Sequence, residues 1–227
     1  MKVKTVFFDF GSTLAYMSPS PDVIWLELLR DQGFHFEPER IRLALQLADK
    51  TYWSQVFDYR GRMLEFWTTY DQFVLSELGV TESGGLARKV NNAFDQPRLI
   101  HAYPETRSVL QNLKSKGFHL GVISNNTDDL LKHLAWLGLQ GFFDSVTYSQ
   151  EAQSRKPDAK IFQLALNRAR SMPSDAIHVG DSYENDVLGA RSALITPVLI
   201  DREGIRTDAD CRRIRDLAEL PPIFSVI

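Results

Sequence analysis

Five short apolar runs punctuate the chain: KVKTVFF from Lys2, FHLGVIS from Phe118, SVTYS from Ser145, AIHVG from Ala176 and TPVLI from Thr196. Their length and their content of Val, Ile and Phe predict strands, and the unbroken ones predict strands covered on both faces. From residue 104 onward they alternate with helical patterns. Val109, Leu110 and Leu113 form one stripe within Pro104 to Lys116, and Gly117 follows as a C-terminal cap. Asp128 to Leu137 and Asp158 to Ala169 repeat the apolar spacing. Such alternation predicts an α/β fold with a doubly wound, Rossmann-like parallel sheet.

The stretch from Met17 to Pro97 carries a different pattern. After SPSPD, with Ser20 as the expected N-cap and Pro21 in the first turn, come VIWLELLRD, ERIRLALQLADKTYW and LEFWTTYDQFVLSELG. Strand signals are scarce there, which predicts a helical insertion placed just after the first strand. The expected domains are therefore 1–16 with 98–227, and 17–97. No internal repeat or low-complexity tract interrupts them.

Composition narrows the class. A chain of 227 residues, 44% apolar and 24% charged, can bury a substantial core. The net charge of −3 gives no electrostatic case for nucleic acid or an anionic membrane. The one cysteine, Cys211, forms no intrachain disulfide and no cysteine-based zinc site. With neither a signal-like leader nor an apolar run of about 20 residues, the expected location is the cytoplasm.

Ligands of open parallel sheets bind beyond the carboxyl ends of the strands. Asp9, Ser124-Asn125, Lys156 and the run GDSYEND from Gly180 to Asp186 all fall at or near such ends. Together they suit phosphoryl transfer, which needs a nucleophile, a cation and donors aimed at phosphate oxygens. Asp9 can attack phosphorus as a carboxylate. Asp9 and Asp181 offer hard oxygens to Mg²⁺. Lys156 neutralises phosphate charge, and the Ser124 hydroxyl with the Asn125 N–H is expected to meet the anion near a helix N-terminus. Each residue alone has a plainer reading. Asp186 suits the first turn of a helix, Ser124 and Thr127 suit helix caps, and Lys156 suits a solvated position before Pro157.

Taken in order, VFFDFGSTL, GVISNN, SRKPDAKIF and HVGDSYENDVLGARSA followed by PVLIDREG resemble the haloacid dehalogenase-like hydrolase superfamily. The resemblance implies a Rossmann-like core with a helical cap inserted after the first motif, and Mg²⁺ as cofactor. It implies Asp9 as nucleophile, Ser124 and Lys156 on the phosphate side, and Asp181 as metal ligand with Asp186 in support. It further implies a metal contact from the Gly11 backbone carbonyl. Most phosphatases of this family carry Asp where this chain has Gly11, so the usual proton donor is missing and slow turnover is expected. The expected substrate is a small phosphorylated metabolite, hydrolysed by a monomer or homodimer. A 2-haloacid dehalogenase-like hydrolase and a non-catalytic phospholigand- or partner-binding protein are the alternatives. In the cap, Arg60, Arg62 and Trp67 are the specificity candidates, set against a reading in which they only pack or face solvent.

Overall fold

The computed structural model describes residues 3–81 and 85–220, so Lys2 of the first run lies outside them. The chain divides into two compact units. One comprises Met1–Tyr16 with His101–Ile227, and the other Met17–Ile100. The return crossing thus falls three residues beyond the position expected from the sequence.

The first unit is built on β1 (Thr5–Phe8), β4 (His119–Ser124), β5 (Ser145–Tyr148), β6 (Ala176–Gly180), β7 (Thr196–Ile200) and β8 (Arg212–Ile214). They form one sheet in the order β5-β4-β1-β6-β7-β8, parallel throughout. This is the doubly wound sheet expected from the alternation. The chain enters at β1, winds outward through β4 and β5, then crosses to β6 on the other side of β1. The strand order reverses at β1, and Asp9 is the residue that follows it.

Val6, Phe7 and Phe8 are fully buried although their side chains alternate between faces, as a doubly covered central strand requires. Phe7 packs with Ile123 and with Ile161 and Phe162 of a helix, α8, at Ala159–Ala169. The helix at Thr106–Ser115, α5, ends as the sequence predicts, with Gly117 at φ 82° reversing the chain into β4. The remaining helices of this unit are α6 (Asp129–Trp136), α7 (Ser149–Ala152) and α9 (Gly189–Ser192), the last preceded by a π-helical turn at Tyr183–Leu188.

The second unit holds α1 (Pro21–Asp31), α2 (Pro38–Tyr52), α3 (Met63–Glu77) and α4 (Leu86–Phe94). Its core gathers Trp25, Leu29, Ile41, Val74, Leu75 and Val90. Ser20 does occupy the N-cap position of α1, but its hydroxyl turns to the Asp22 carboxylate instead of capping the backbone. Two three-residue strands, β2 (Ala15–Met17) and β3 (Ile100–Ala102), pair where the chain leaves and re-enters the first unit. Among the described residues no helix is long and apolar enough to cross a membrane.

Candidate active site

Asp9 is fixed from behind. Its N–H donates to the Val179 carbonyl at 2.8 Å, extending the β1–β6 pairing by one residue. The carboxylate Oδ1 then receives Lys156 Nζ at 2.6 Å, and the same ammonium lies 2.5 Å from Asp186 Oδ1. Lys156 comes from the loop between α7 and α8. Asn125 holds that loop from the end of β4, its Oδ1 accepting the Lys156 N–H at 2.7 Å and its Nδ2 donating to the Lys156 carbonyl at 3.0 Å. The Asn125 side chain thus places the lysine, while the group expected from the sequence to meet the anion is its backbone N–H.

Asp186 sits in the π-helical turn after β6 and is buried. Its carboxylate takes three donors: the Lys156 ammonium, the Ser182 N–H at 2.9 Å and His178 Nε2–H at 2.9 Å. Gly180 makes room for this, since a Cβ at that position would overlap the Asp186 carboxyl carbon. Oxygens of Asp9, Asp181 and Asp186 lie within 4.8 Å of one another. That spacing approaches the roughly 4.2 Å between opposite ligands of an octahedral Mg²⁺, and the donors are all hard oxygens. With Asp186 engaged by three donors, Asp9 and Asp181 are the carboxylates fit for direct contact with a cation.

The backbone offers one more oxygen. From Phe10 to Leu14, the carbonyls of Phe10, Ser12, Thr13 and Leu14 accept hydrogen bonds. Gly11 itself is exposed, and its carbonyl has no such partner among the described residues. An uncommitted carbonyl two residues after Asp9 is the kind of hard oxygen such a cation takes.

The electrostatics follow from this crowding. Burial raises the Asp9 carboxyl, with the Lys156 charge opposing it and the Asp186 charge adding to it. Burial also opposes ionisation of Asp186, but the Lys156 charge and the bond from His178 outweigh it, and its pKa falls well below the usual carboxylate range. Lys156 is raised because the two carboxylates overcome its desolvation. Asp181 is pushed up to about 7, by desolvation first and then by the charges of Asp9 and Asp186. Its side chain is exposed, which tempers the first cause and leaves the neighbouring charges as the firmer one.

Removing Lys156 tests this balance. In Lys156→Met, Asp9 and Asp186 face each other without their cation, and the expected loss of stability at pH 7 is about 3–5 kcal/mol. Without the ammonium both carboxyl pKa values rise above the unfolded value near 3.9. The native state then gains protons as pH falls, so the deficit should shrink toward pH 4. Urea titrations of both proteins across that range read the gap directly. A deficit independent of pH would mean that lost packing, not charge, is the cause.

Ser124 is buried at the end of β4, two residues past Val122, the register partner of Phe8. It was expected near a helix N-terminus and does not itself stand at one. α6 begins only at Asp129, and the Asp129 N–H is taken by Thr127 Oγ1 at 3.3 Å. Asn126 and Thr127 fill the intervening turn, so Ser124 acts from a strand end. Arg62 and Trp67 serve their own unit. Arg62 bonds Glu65 at 2.9 Å and the Asp58 carbonyl at 2.9 Å, while Trp67 packs edge-on to Trp53, Phe66 and Tyr70. Arg60 is exposed on the adjoining turn.

No role was expected from the sequence for His178, which is fully buried on β6, with its Nδ1 unpartnered among the described residues and the Phe162 ring perpendicular to it. An imidazole inside the apolar run AIHVG was the available signal. None was expected for Thr13 either, whose buried hydroxyl lacks a partner among the described residues.

Known proteins resemble this chain in sequence and in fold. Residues 6–200 match the family model described as haloacid dehalogenase-like hydrolase. A glyceraldehyde 3-phosphate phosphatase of Methanothermobacter thermautotrophicus is 39% identical over 113 residues, covering 49% of this chain and 50% of that protein. A HAD phosphatase from Thermococcus onnurineus superposes with a TM-score of 0.67 at 25% identity, covering 97% of each chain. A 2-haloacid dehalogenase from Pseudomonas syringae does so with a TM-score of 0.71 at 27% identity, covering 99% of each. On the family match and the shared architecture, this chain belongs to the haloacid dehalogenase-like hydrolases.

Proposed function

We propose that the chain is a Mg²⁺-dependent phosphatase of small phosphorylated metabolites, working through an aspartyl-phosphate on Asp9. The observation that carries this reading is Asp181 beside Asp9, with Asp186 held behind them. Hydrolysis of a carbon–halogen bond through an ester on Asp9 needs a carboxylate and a lysine but no second and third acid. Likeness to a dehalogenase and a phosphatase at similar identity leaves the site to decide between them.

An Asp9 oxygen attacks phosphorus, the bond to the leaving oxygen breaks, and that oxygen takes a proton from solvent. Water then attacks the phosphorus of the aspartyl-phosphate, releasing inorganic phosphate and restoring the Asp9 carboxylate. Lys156 keeps Asp9 oriented and offsets phosphate charge, and Ser124 supports the phosphate from the end of β4. Mg²⁺, held by Asp9, Asp181 and the Gly11 carbonyl with Asp186 in support, would offset the negative charge that gathers on the phosphoryl oxygens. Since Gly11 carries no acid, leaving groups that depart without protonation are favoured, such as acyl phosphates and sugar 1-phosphates.

A panel of phosphate esters assayed for phosphate release with Mg²⁺ and with chelator tests the reading. The expected result is Mg²⁺-dependent release, fastest for acyl and sugar 1-phosphates. Halide release from 2-haloacids in chelator would overturn it. The cation should also show its competitor. Asp181 holds a proton up to about pH 7, so Mg²⁺ affinity should weaken by up to about tenfold for each pH unit below 7 and level off above it. Calorimetric titration between pH 5.5 and 8.5 reads this; a flat profile would show that no proton on Asp181 competes with the cation in this range.

A further inference from the structure

We infer that Arg202, from the PVLIDREG segment after β7, is a positioning residue that fixes the nucleophile loop after Asp9, on which the cation site depends. This rests on the phosphatase reading for its purpose and on geometry for its content. The loop after Asp9 closes on itself only through the Phe10 carbonyl, which accepts the Leu14 and Ala15 N–H groups at 2.9 and 3.0 Å. Gly11 has no side chain, and a Cβ there would meet nothing within 4 Å. Ser12 has φ 55°, a left-handed conformation that costs a non-glycine residue about 1–2 kcal/mol. The Ser12 and Thr13 carbonyls are fixed from outside the loop.

Arg202 reaches four groups on two other segments. Its Nη2 donates to the Thr13 carbonyl at 2.8 Å and its Nε to the Ser12 carbonyl at 3.3 Å. Glu105 Oε1 lies 2.9 Å from Nη2 without the alignment of a hydrogen bond, so that contact is charge pairing. The guanidinium carbon stands 3.4 Å from the centroid of the Tyr103 ring. The base of Arg202 is equally fixed. The preceding Asp201 carboxylate accepts the N–H groups of Ile205 and Arg206 at 3.1 and 3.0 Å and pairs with Arg213 at 3.2 Å. Only a planar fork with several donors serves two carbonyls, a carboxylate and a ring at once; an ammonium does not.

By occupying the Ser12 and Thr13 carbonyls, Arg202 sets the orientation of the adjacent peptide units. The Gly11 carbonyl between them and Asp9, which accepts no hydrogen bond among the described residues, is held with them. An arginine placed 190 residues after Ser12 in sequence thus completes what glycine leaves loose.

Calorimetric Mg²⁺ titration of the full chain, with no substrate present, is the test. Arg202→Met and Arg202→Lys should each weaken Mg²⁺ binding about 10- to 30-fold, within the range usual when a group supporting a metal ligand is lost. At saturating Mg²⁺, KM should stay within about threefold while kcat at fixed low Mg²⁺ falls in step with affinity. In Arg202→Ala, millimolar guanidinium should recover part of the lost affinity. Glu105→Gln, which leaves the arginine in place, should weaken Mg²⁺ binding about threefold and stands in if the Arg202 variants do not fold. Mg²⁺ affinity within twofold of wild type in the folded variants overturns the inference, whatever the hydrolytic rate. Wild type that binds Mg²⁺ but releases no phosphate overturns the phosphatase reading and leaves the role of Arg202 to be decided by the affinities alone.

Discussion

Asp9→Asn is expected to abolish phosphate release, by at least about 10⁴-fold, while leaving the protein as stable as wild type or more so. The loss follows from chemistry. An amide oxygen can still accept the Lys156 ammonium, but it does not attack phosphorus, and removing a nucleophile takes most of the rate that its partners depend on. The stability follows from the electrostatics of the site. Asp9 is buried, and its carboxyl is raised above the usual range by that burial and by Asp186, despite Lys156. An acid with a raised folded-state pKa holds its ionised form against the native state, so at pH 7 it costs stability that the neutral amide does not. Lys156 keeps a carboxylate partner in Asp186. The variant's advantage should therefore fade as pH falls through the Asp9 pKa toward its unfolded value near 3.9, where wild type is neutral as well. Thermal melts at pH 7 and pH 4.5 alongside phosphate assays measure both halves. Residual activity above about one part in a hundred would mean that another group attacks, and a clear loss of stability at pH 7 would mean that the Asp9–Lys156 pair holds the fold together.

The sequence disclosed the parts of this protein that local pattern determines. β1, β4, β6 and β7 are buried runs of apolar residues, and their strand ends carry the acids and the lysine, so topology alone brings Asp9, Lys156, Asp181 and Asp186 to one edge. β8 was not legible because two of its three residues are arginines. It is an edge strand whose Arg213 is drawn in by Asp201, a tertiary cause. α4 escaped for a similar reason: LARKVNNAF is short and buries only Leu86, Ala87 and Val90. In the site, His178 was hidden by its setting, since a histidine in an apolar strand reads as part of the strand until Asp186 is seen against it. Ser124 was expected near a helix N-terminus, and Asn126 and Thr127 fold into a turn between it and α6, which starts at Asp129 within one residue of the start the apolar spacing gave. The Ser12 and Thr13 carbonyls bound by Arg202 carry no side-chain signature, so no motif could reveal them.

Gly11→Asp should raise turnover of substrates with poor leaving groups by about 10²-fold or more, and of p-nitrophenyl phosphate by much less. A positioned proton donor contributes roughly 10²–10⁴ in rate when the departing oxygen needs a proton, and little when it does not. The structure permits the substitution. Gly11 is exposed, a Cβ there meets nothing within 4 Å, and its φ is not in the left-handed region. The flanking Ser12 and Thr13 carbonyls stay bound to Arg202, so the loop has no cause to move. The new carboxyl enters a neighbourhood that already raises Asp181 to about 7, and it should be raised as well, which favours the protonated form a donor needs near neutral pH. The same crowding brings a cost, because a further negative charge lifts Asp181 and makes the native state less favourable as pH rises. The gain should therefore be largest on the acidic side of neutrality, with a modest loss of stability above pH 7. Comparing kcat for an alkyl phosphate and for p-nitrophenyl phosphate, in wild type and variant at pH 6 and 8, separates proton delivery from general changes in the site. Equal gains on both substrates would show that proton delivery is not what the native site lacks. No gain on either would place the leaving-group donor elsewhere, with Gly11 then serving the cation through its carbonyl alone.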